Sequence, residues 1–327
     1  MIITKTPLRV TLGGGGTDLK SYFSRYGGFV ATAAIDKYVY VAVNKMFENK
    51  IRLSYSETEI VDSFQNIRHP LVREALRLLR LERNLEIVSV ADLPSNTGLG
   101  SSGSFTVGLL HALHLLKGDT VARTVLAEEA CKVQMDILGE PEGKQDPYIA
   151  AVGGIVNLKI RKDGHVTASR VRLKEDALKE LQESLLFFYT GVKRPSSLVL
   201  RHQQEAVRRD EGEAVNLMHR IKDLAFKIQS ALLRGDIAEF GRLQHEHWLA
   251  KRAVSSAVSN SQIDRWYEIG IKAGALGGKL LGAGGGGFLM FCSTSNQARI
   301  RKAMAGEGLR EINFTLGVGG TKVAREI

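Results

Sequence analysis

A chain of 327 residues, 44% hydrophobic and 24% charged, has the composition of an ordinary globular protein and the length for about two folded units. No apolar run approaches the roughly 20 residues that cross a bilayer, and residues 1–7 lack the basic start and apolar core of a secretion signal. Cys131 and Cys292 are too far apart for a metal motif, so reduced thiols in a cytoplasmic setting are the expectation. The net charge of +10 is scattered over pairs such as Arg208-Arg209, Lys251-Arg252 and Arg301-Lys302, and over Arg77, Arg80 and Arg83 at helical spacing. Without a basic tail or basic–aromatic interleaving, this argues against a nucleic-acid partner and suits an enzyme of anionic substrates.

Residues 2–12 read as a strand broken at Pro7, 13–16 as a flexible glycine turn, and 19–26 as a short helix closed by Gly27-Gly28. Residues 29–47, rich in Val, Ala and Tyr, predict strands with a turn at Asp36-Lys37, and 51–55 a further strand. Leu71, Ala75, Leu78 and Leu79 form one stripe of a helix over 71–81. Residues 85–91 alternate like a strand, 104–116 read as a mostly apolar helix, and 120–138 as another. Residues 155–160 and 166–171 read as a hairpin about Lys162-Asp163-Gly164-His165. The character then changes near 172–184. A strand at 185–189 precedes helices at 196–210, 213–234, 237–258 and 263–273. Strands at 280, 288–292, 313–316 and 322–323 surround a helix over 296–305. The order is α+β in two halves, 1–172 and 173–327, with no internal repeat.

The segment Pro94-Ser95-Asn96-Thr97-Gly98-Leu99-Gly100-Ser101-Ser102-Gly103-Ser104 opens directly into the apolar helix. Its glycines let the backbone approach a ligand, and its serines offer hydroxyls and helix caps. A helix N-terminus carries orphan N–H groups and about half a positive charge, which suits a polyphosphate. Gly282-Ala283-Gly284-Gly285-Gly286-Gly287 matches the spacing of a dinucleotide fingerprint, but the strand-like Phe288-Leu289-Met290-Phe291-Cys292 follows instead of a helix, which excludes that fold. Gly278-Lys279 is followed by Leu280, so it is not a Walker A loop. His245 and His247 stand at i and i+2, facing apart on a helix, so chelation by the pair is not expected.

Taken together, Arg9-Val10-Thr11-Leu12-Gly13-Gly14-Gly15-Gly16-Thr17-Asp18, the run from Pro94 to Ser104, the run from Gly282 to Gly287 and the acid Asp146 resemble the motifs of the GHMP kinases over nearly the whole chain. The resemblance implies a two-domain fold, the first half like the second domain of ribosomal protein S5 and the second ferredoxin-like with extra helices. It implies ATP on Pro94, Asn96, Gly98, Leu99, Gly100, Ser101, Ser102, Gly103 and Ser104. Asp146 would take the proton of the attacking hydroxyl, and Arg9 would neutralise the transferred phosphoryl group. Thr17, Asp18, Lys144, Thr190, Gly191 and Arg194 would line the sugar site, with Arg194 facing a distal phosphate, and Gly284 and Gly285 would approach from the second half. Ser102 would bind Mg²⁺. The family usually places a glutamate where Gln134 stands, so Gln134, Asp136, or ATP and water would complete the metal site.

Finer features resemble the bacterial D-glycero-D-manno-heptose 7-phosphate kinases. These are the glycine run before Thr17-Asp18, Gly139-Glu140-Pro141-Glu142-Gly143-Lys144-Gln145-Asp146, Tyr189-Thr190-Gly191, and Gly274-Ala275-Leu276-Gly277-Gly278-Lys279-Leu280-Leu281. Gly15-Gly16 stand where galactokinases carry Glu-His, which counts against galactose. The expected partner is a small sugar phosphate, phosphorylated at its anomeric hydroxyl, with no membrane partner; a homodimer stays open. Fucose or galactose is the alternative within the class. Outside it stand a nucleic-acid-binding protein, prompted by the charge and the S5-like half, and a catalytically inactive sugar sensor, prompted by Gln134.

Overall fold

A computed structural model describes residues 1–208 and 212–326. In chain order the first half runs β1 (Ile2–Gly13), α1 (Lys20–Tyr26), β2 (Gly28–Lys45), β3 (Ile51–Ser54), β4 (Thr58–Val61), α2 (Pro70–Leu79), β5 (Leu85–Ala91), α3 (Ser101–Lys117), α4 (Arg123–Cys131), α5 (Gln145–Val152), β6 (Ile155–Ile160) and β7 (Val166–Arg170). The second half runs α6 (Glu175–Ser184), β8 (Leu185–Tyr189), α7 (Ser196–Arg208), α8 (Gly212–Arg234), α9 (Ile237–Val254), α10 (Ser261–Lys272), β9 (Gly277–Leu280), β10 (Phe288–Cys292), α11 (Gln297–Gly306), β11 (Arg310–Glu311) and β12 (Lys322–Glu326). Among the described residues no helix is long and apolar enough to cross a membrane.

The larger sheet has the order β12-β1-β2-β5-β3-β4, with β6 and β7 joined to β2. Its pairings are antiparallel apart from β3 with β5. β2 is its spine: Gly28 to Ala33 pair with β6, and Val39 to Lys45 pair with β5. Asp36-Lys37 is therefore not a turn. The register against β1 steps from Pro7↔Tyr38 to Leu8↔Ile35, so these residues form a bulge at which the strand changes partner. Pro7 does not break β1; it lies at that same step, where proline's missing N–H is tolerated. α3 lies across β1 and β2, seated by Gly108: a side chain there would come within 2.7 Å of the Thr6 hydroxyl.

The smaller sheet, β11-β8-β10-β9, is antiparallel and packs its own core of Phe188, Trp248, Trp266, Tyr267, Phe291 and Met304. The expected strand at 313–316 is absent, since only Leu316 makes an isolated bridge, to Ile35; β11 occupies the edge instead. β12 returns to β1, so the last strand of the stretch 173–327 belongs to the sheet of the first half. The helix expected over 120–138 is α4 followed by one π-helical turn, Lys132–Ile137. The helix expected over 196–210 runs to Arg208, and residues 209–211, including Arg209 and Asp210, lie outside the described residues. α5, α6 and β4 are not legible in the pattern. α5 has only 8 residues and carries Pro147 in its first turn, where the missing N–H would be unpaired in any case.

Candidate active site

A cleft of about 890 Å³, mouth included, opens between the two sheets, and the three glycine-rich segments meet in it. The Gly–Ser loop is wound tightly: Asn96, Gly98 and Gly100 all have positive φ, at 61°, 79° and 77°. Gly100 caps α3 without any side-chain hydrogen bond. The serines thus do not cap the helix as expected. Ser104 Oγ donates to the carbonyls of Pro7 at 2.7 Å and Gly100 at 3.1 Å, which pins the helix to β1. Ser101 and Ser102 line the cleft, and the first turn of α3 has no side-chain cap competing with a ligand. Leu99 is buried in the core and gives its carbonyl to the Arg9 N–H at 3.0 Å, while Pro94 is exposed outside the cleft. Neither they, Gly103 nor Ser104 are among the lining residues, whereas Asn96, Gly98 and Gly100 are.

Arg9, from β1, meets Asp146, from the first turn of α5, across the helix start. Its Nε donates to Oδ1 at 2.7 Å and its Nη2 to Oδ2 at 2.9 Å, a bidentate fork, while Nη1 donates to the Gly98 carbonyl at 2.5 Å. One guanidinium therefore orients the acid and tethers the Gly–Ser loop. Asp18 accepts from the N–H groups of Gly16 at 3.0 Å and Gln145 at 3.1 Å. Burial pushes its carboxyl above the usual range, and the charge of Asp146 adds to the rise. Gly143 is needed beside it, because a Cβ there would lie 2.0 Å from Asp18 Oδ2.

The glycine run at 13–16 leads into a turn, as expected, but a tightly packed one. A Cβ on Gly14 would lie 2.0 Å from the Phe29 carbonyl, and the Gly14 N–H donates to His247 Nε2 at 3.0 Å. That bond requires neutral imidazole with its proton on Nδ1, in keeping with a pKa driven well below the ordinary value by burial and by Lys279 and Lys251. His245 faces elsewhere, bonded to the Tyr267 hydroxyl at 2.7 Å, so the two histidines share no ligand.

Several expected contacts fall elsewhere. Thr17 is fully buried, its hydroxyl donating to the carbonyls of Gly14 and Phe29 at 2.8 and 2.9 Å; it braces the turn and does not face the cleft. Thr190 donates to the Gly287 carbonyl at 2.9 Å and accepts its N–H at 3.1 Å, which fixes the third glycine run, and neither it nor Gly191 lines the cleft. Lys144 Nζ pairs with Glu128 at 3.0 Å, away from Asp146. Arg194 does reach the cleft, with Nη1 on the Ala257 carbonyl at 3.3 Å and its chain laid over Gly285, where a Cβ would come within 2.5 Å of Cδ. Gly284 lines the cleft and Gly285 does not. The second and third glycine segments touch backbone to backbone. A Cβ on Gly282 would lie 2.4 Å from the Gly98 Cα, and one on Gly287 2.2 Å from the Thr97 carbonyl.

Lys251, Glu142 and Gln203 also line the cleft, although no role there was expected of them. Lys251, on α9, donates to the Gly282 carbonyl, and burial lowers its pKa to about 8, helped by the charge of Arg9. Glu142 accepts from Ser196 Oγ at 3.0 Å; burial raises its carboxyl to about 7, and the charge of Asp146 adds to the rise. Gln203 closes the side formed by α7. Lys251 did carry a signal, since Gln244, His247 and Lys251 are polar residues on the i, i+3, i+7 stripe of α9 that should be apolar, and all three are buried.

A metal fits these residues poorly. Gln134 Nε2 donates to Ser102 Oγ at 2.9 Å, which turns the amide's donor, not its oxygen, toward the serine. Asp136 is exposed and lies 3.7 Å from Lys20, so it does not complete the set. Among the described residues no group of three or more His, Cys, Asp or Glu side chains is placed to hold an ion.

Comparison with known proteins identifies the family and the fold. Residues 70–154 match the GHMP kinases N terminal domain, and 228–309 match the GHMP kinases C terminal family. The chain is 29% identical to a D-glycero-alpha-D-manno-heptose 7-phosphate kinase of Campylobacter jejuni, covering 89% of this chain and 88% of that one. It is 27% identical to a galactokinase of Pyrococcus furiosus, over 88% and 87%. A crystal structure of a D-glycero-D-manno-heptose 1-phosphate kinase from Bacteroides thetaiotaomicron superposes with a TM-score of 0.82 at 24% identity, covering 100% of both chains. A sugar kinase structure from Campylobacter jejuni gives 0.78 at 27% identity, over 99% and 98%. With both halves of the family matched and the fold shared from end to end, the chain belongs to the GHMP kinases and is a phosphotransferase with an alcohol group as acceptor.

Proposed function

We propose that this chain transfers the γ-phosphoryl group of ATP to the anomeric hydroxyl of D-glycero-D-manno-heptose 7-phosphate, giving the 1,7-bisphosphate and ADP for nucleotide-activated heptose synthesis. The likeness to a heptose 7-phosphate kinase over 89% of the chain supports the substrate. The observation that carries the chemistry is the Arg9–Asp146 fork beside the uncapped start of α3. The nucleotide's phosphates rest against the first-turn amides of α3, with Ser101 and Ser102 alongside. Asp146 accepts a hydrogen bond from the acceptor hydroxyl and draws off its proton. Arg9 is then positioned to share its charge between Asp146 and the phosphoryl oxygens as they develop charge. Asp18 holds neighbouring sugar hydroxyls, and Arg194 meets the distal phosphate. Mg²⁺ would arrive with the nucleotide, held by its phosphates and water, and would supply charge neutralisation there.

The test is a coupled ADP-release screen across heptose 7-phosphate, fucose, galactose, mannose and mevalonate, run with wild type and Asp146→Asn. The heptose phosphate should turn over fastest. Asp146→Asn should lose about 10²- to 10⁴-fold in kcat while nucleotide affinity stays near normal. Faster turnover of another sugar would reject the substrate, and full activity of the variant would reject the role of Asp146.

A further inference from the structure

Besides Asp18 and Asp146, the cleft contains a third carboxyl, for which the mechanism above has no use. Asp146 has both oxygens engaged by Arg9 and is wedged against α3, where a Cβ on Gly100 would lie 3.0 Å from Oδ2. Glu142 lies four residues upstream, on the loop that leads into α5, and lines the same cleft. Its Oε1 accepts the Ser196 hydroxyl of α7 at 3.0 Å, so the carboxyl is anchored from the opposite half of the molecule. No basic side chain forms an ion pair with it among the described residues, in contrast to Asp146.

We propose that Glu142 is the group that receives the acceptor hydroxyl's proton from Asp146 and holds it until the products leave. This rests on the kinase reading above. The balance is simple. The sugar O–H bond breaks and its electron pair forms the new O–P bond. The bond from the γ-phosphorus to the bridging oxygen breaks, and its pair leaves with ADP. The proton passes to Asp146 and on to Glu142, and from there to solvent as products depart. Glu142 acts through Asp146, which makes it a positioning residue for the proton.

The surroundings suit that task. Asp146 and Glu140 bear negative charge on Glu142, Arg9 bears positive charge from β1, and Asp18, Arg194 and Lys251 line the same cleft. Burial dominates and raises the carboxyl to about 7, so it changes charge in the neutral range. It accepts a proton only when ionised, so kcat should fall as pH drops through about 7.

The experiment is a kcat and KM profile from pH 5.5 to 9 with heptose 7-phosphate and ATP, for wild type, Glu142→Gln and Glu142→Asp. Glutamine keeps an oxygen for the Ser196 hydroxyl, so the link between the halves survives. Glu142→Gln should lose about 10²-fold in kcat, keep the ATP KM within twofold, and lose the limb near pH 7. Glu142→Asp should regain part of the rate with the limb displaced. Wild-type kcat in Glu142→Gln, or a reduced kcat that keeps the same limb, would overturn the proposal. Either result beside an inactive Asp146→Asn leaves the kinase reading standing; absence of ADP release from wild type on any of the five acceptors defeats both.

Discussion

Lys251 brings a positive charge into a buried position in the cleft wall and sets it on a carbonyl, that of Gly282, rather than on a carboxylate. Its ordinary pKa is 10.5 and its folded value is about 8, with burial the main cause. Between these two values the unfolded chain binds the extra proton and the folded chain does not, so stability rises with pH across that window. Below pH 8 the full cost of the buried charge is present, roughly 3 kcal/mol. The prediction is differential, because Lys279 on the Leu12 carbonyl is depressed in the same sense and would blur a wild-type curve alone. Denaturant unfolding of wild type and Lys251→Met at pH 7, 8, 9 and 10 should show wild type gaining on the variant above pH 8, by up to about 3 kcal/mol. A difference independent of pH would mean that this amine keeps its ordinary affinity for protons. The charge is tolerated because the cleft is built for anions: Lys251 and Arg194 face it from the second half and Arg9 from the first. At this scale the sequence was informative about residue type and less so about partner. Arg9 and Asp146 are 137 positions apart and were legible only through the motifs that contain them. Thr17, Ser104, Thr190 and Lys144 sit inside or beside the same motifs, yet each spends its polar group on the protein itself. No local pattern separates a hydroxyl aimed at a ligand from one aimed at a carbonyl across the fold.

The element that most directly places the chemistry is α5, through its contact with α3. Gly103 stands in the first turn of α3 with ordinary helical backbone, and alanine there would favour an isolated helix by about 1 kcal/mol. The packing reverses that sign: a Cβ on Gly103 would lie 2.7 Å from the Asp146 Cβ and 3.0 Å from the Asp146 carbonyl carbon. Gly103→Ala must therefore push α5 away and drag Asp146 off the Arg9 fork. A displacement near 1 Å costs roughly 10²-fold in rate, and overpacking of this kind about 1–3 kcal/mol in stability. Turnover should drop by that factor, with ATP binding by calorimetry largely retained; unchanged kcat would show that the helix spacing does not position the acid. Short apolar runs bounded by polar or glycine residues were legible in advance as strands, as at β8, β10 and the β6–β7 hairpin. α5 was not, because Tyr148, Ile149, Ala150 and Ala151 are all buried and leave no polar face to set a helical period. The bulge at Asp36-Lys37 was misread for a related reason. The dipeptide looks like a turn locally, while its conformation is decided by the register against β1.

At the scale of the molecule, the two sheets are coupled by backbone rather than by side chains alone. Gly98 meets Gly282, Thr97 meets Gly287, and buried Lys279 reaches across to Leu12. α8 packs on β1 and β2 while α9 packs on β9 and β10, and the chain's last strand closes on its first. The sheets thus share contacts that neither keeps if the other opens, which predicts one cooperative transition despite the length of the chain. The tryptophans offer a direct check, since Trp248 and Trp266 both lie in the core of the smaller sheet. Unfolding followed by tryptophan fluorescence reports that half alone, whereas far-ultraviolet circular dichroism reports the whole. The two curves should coincide in midpoint and slope. A fluorescence transition that precedes the loss of ellipticity would mean the smaller sheet melts by itself, and that the glycine contacts position the cleft without binding the halves into one folding unit.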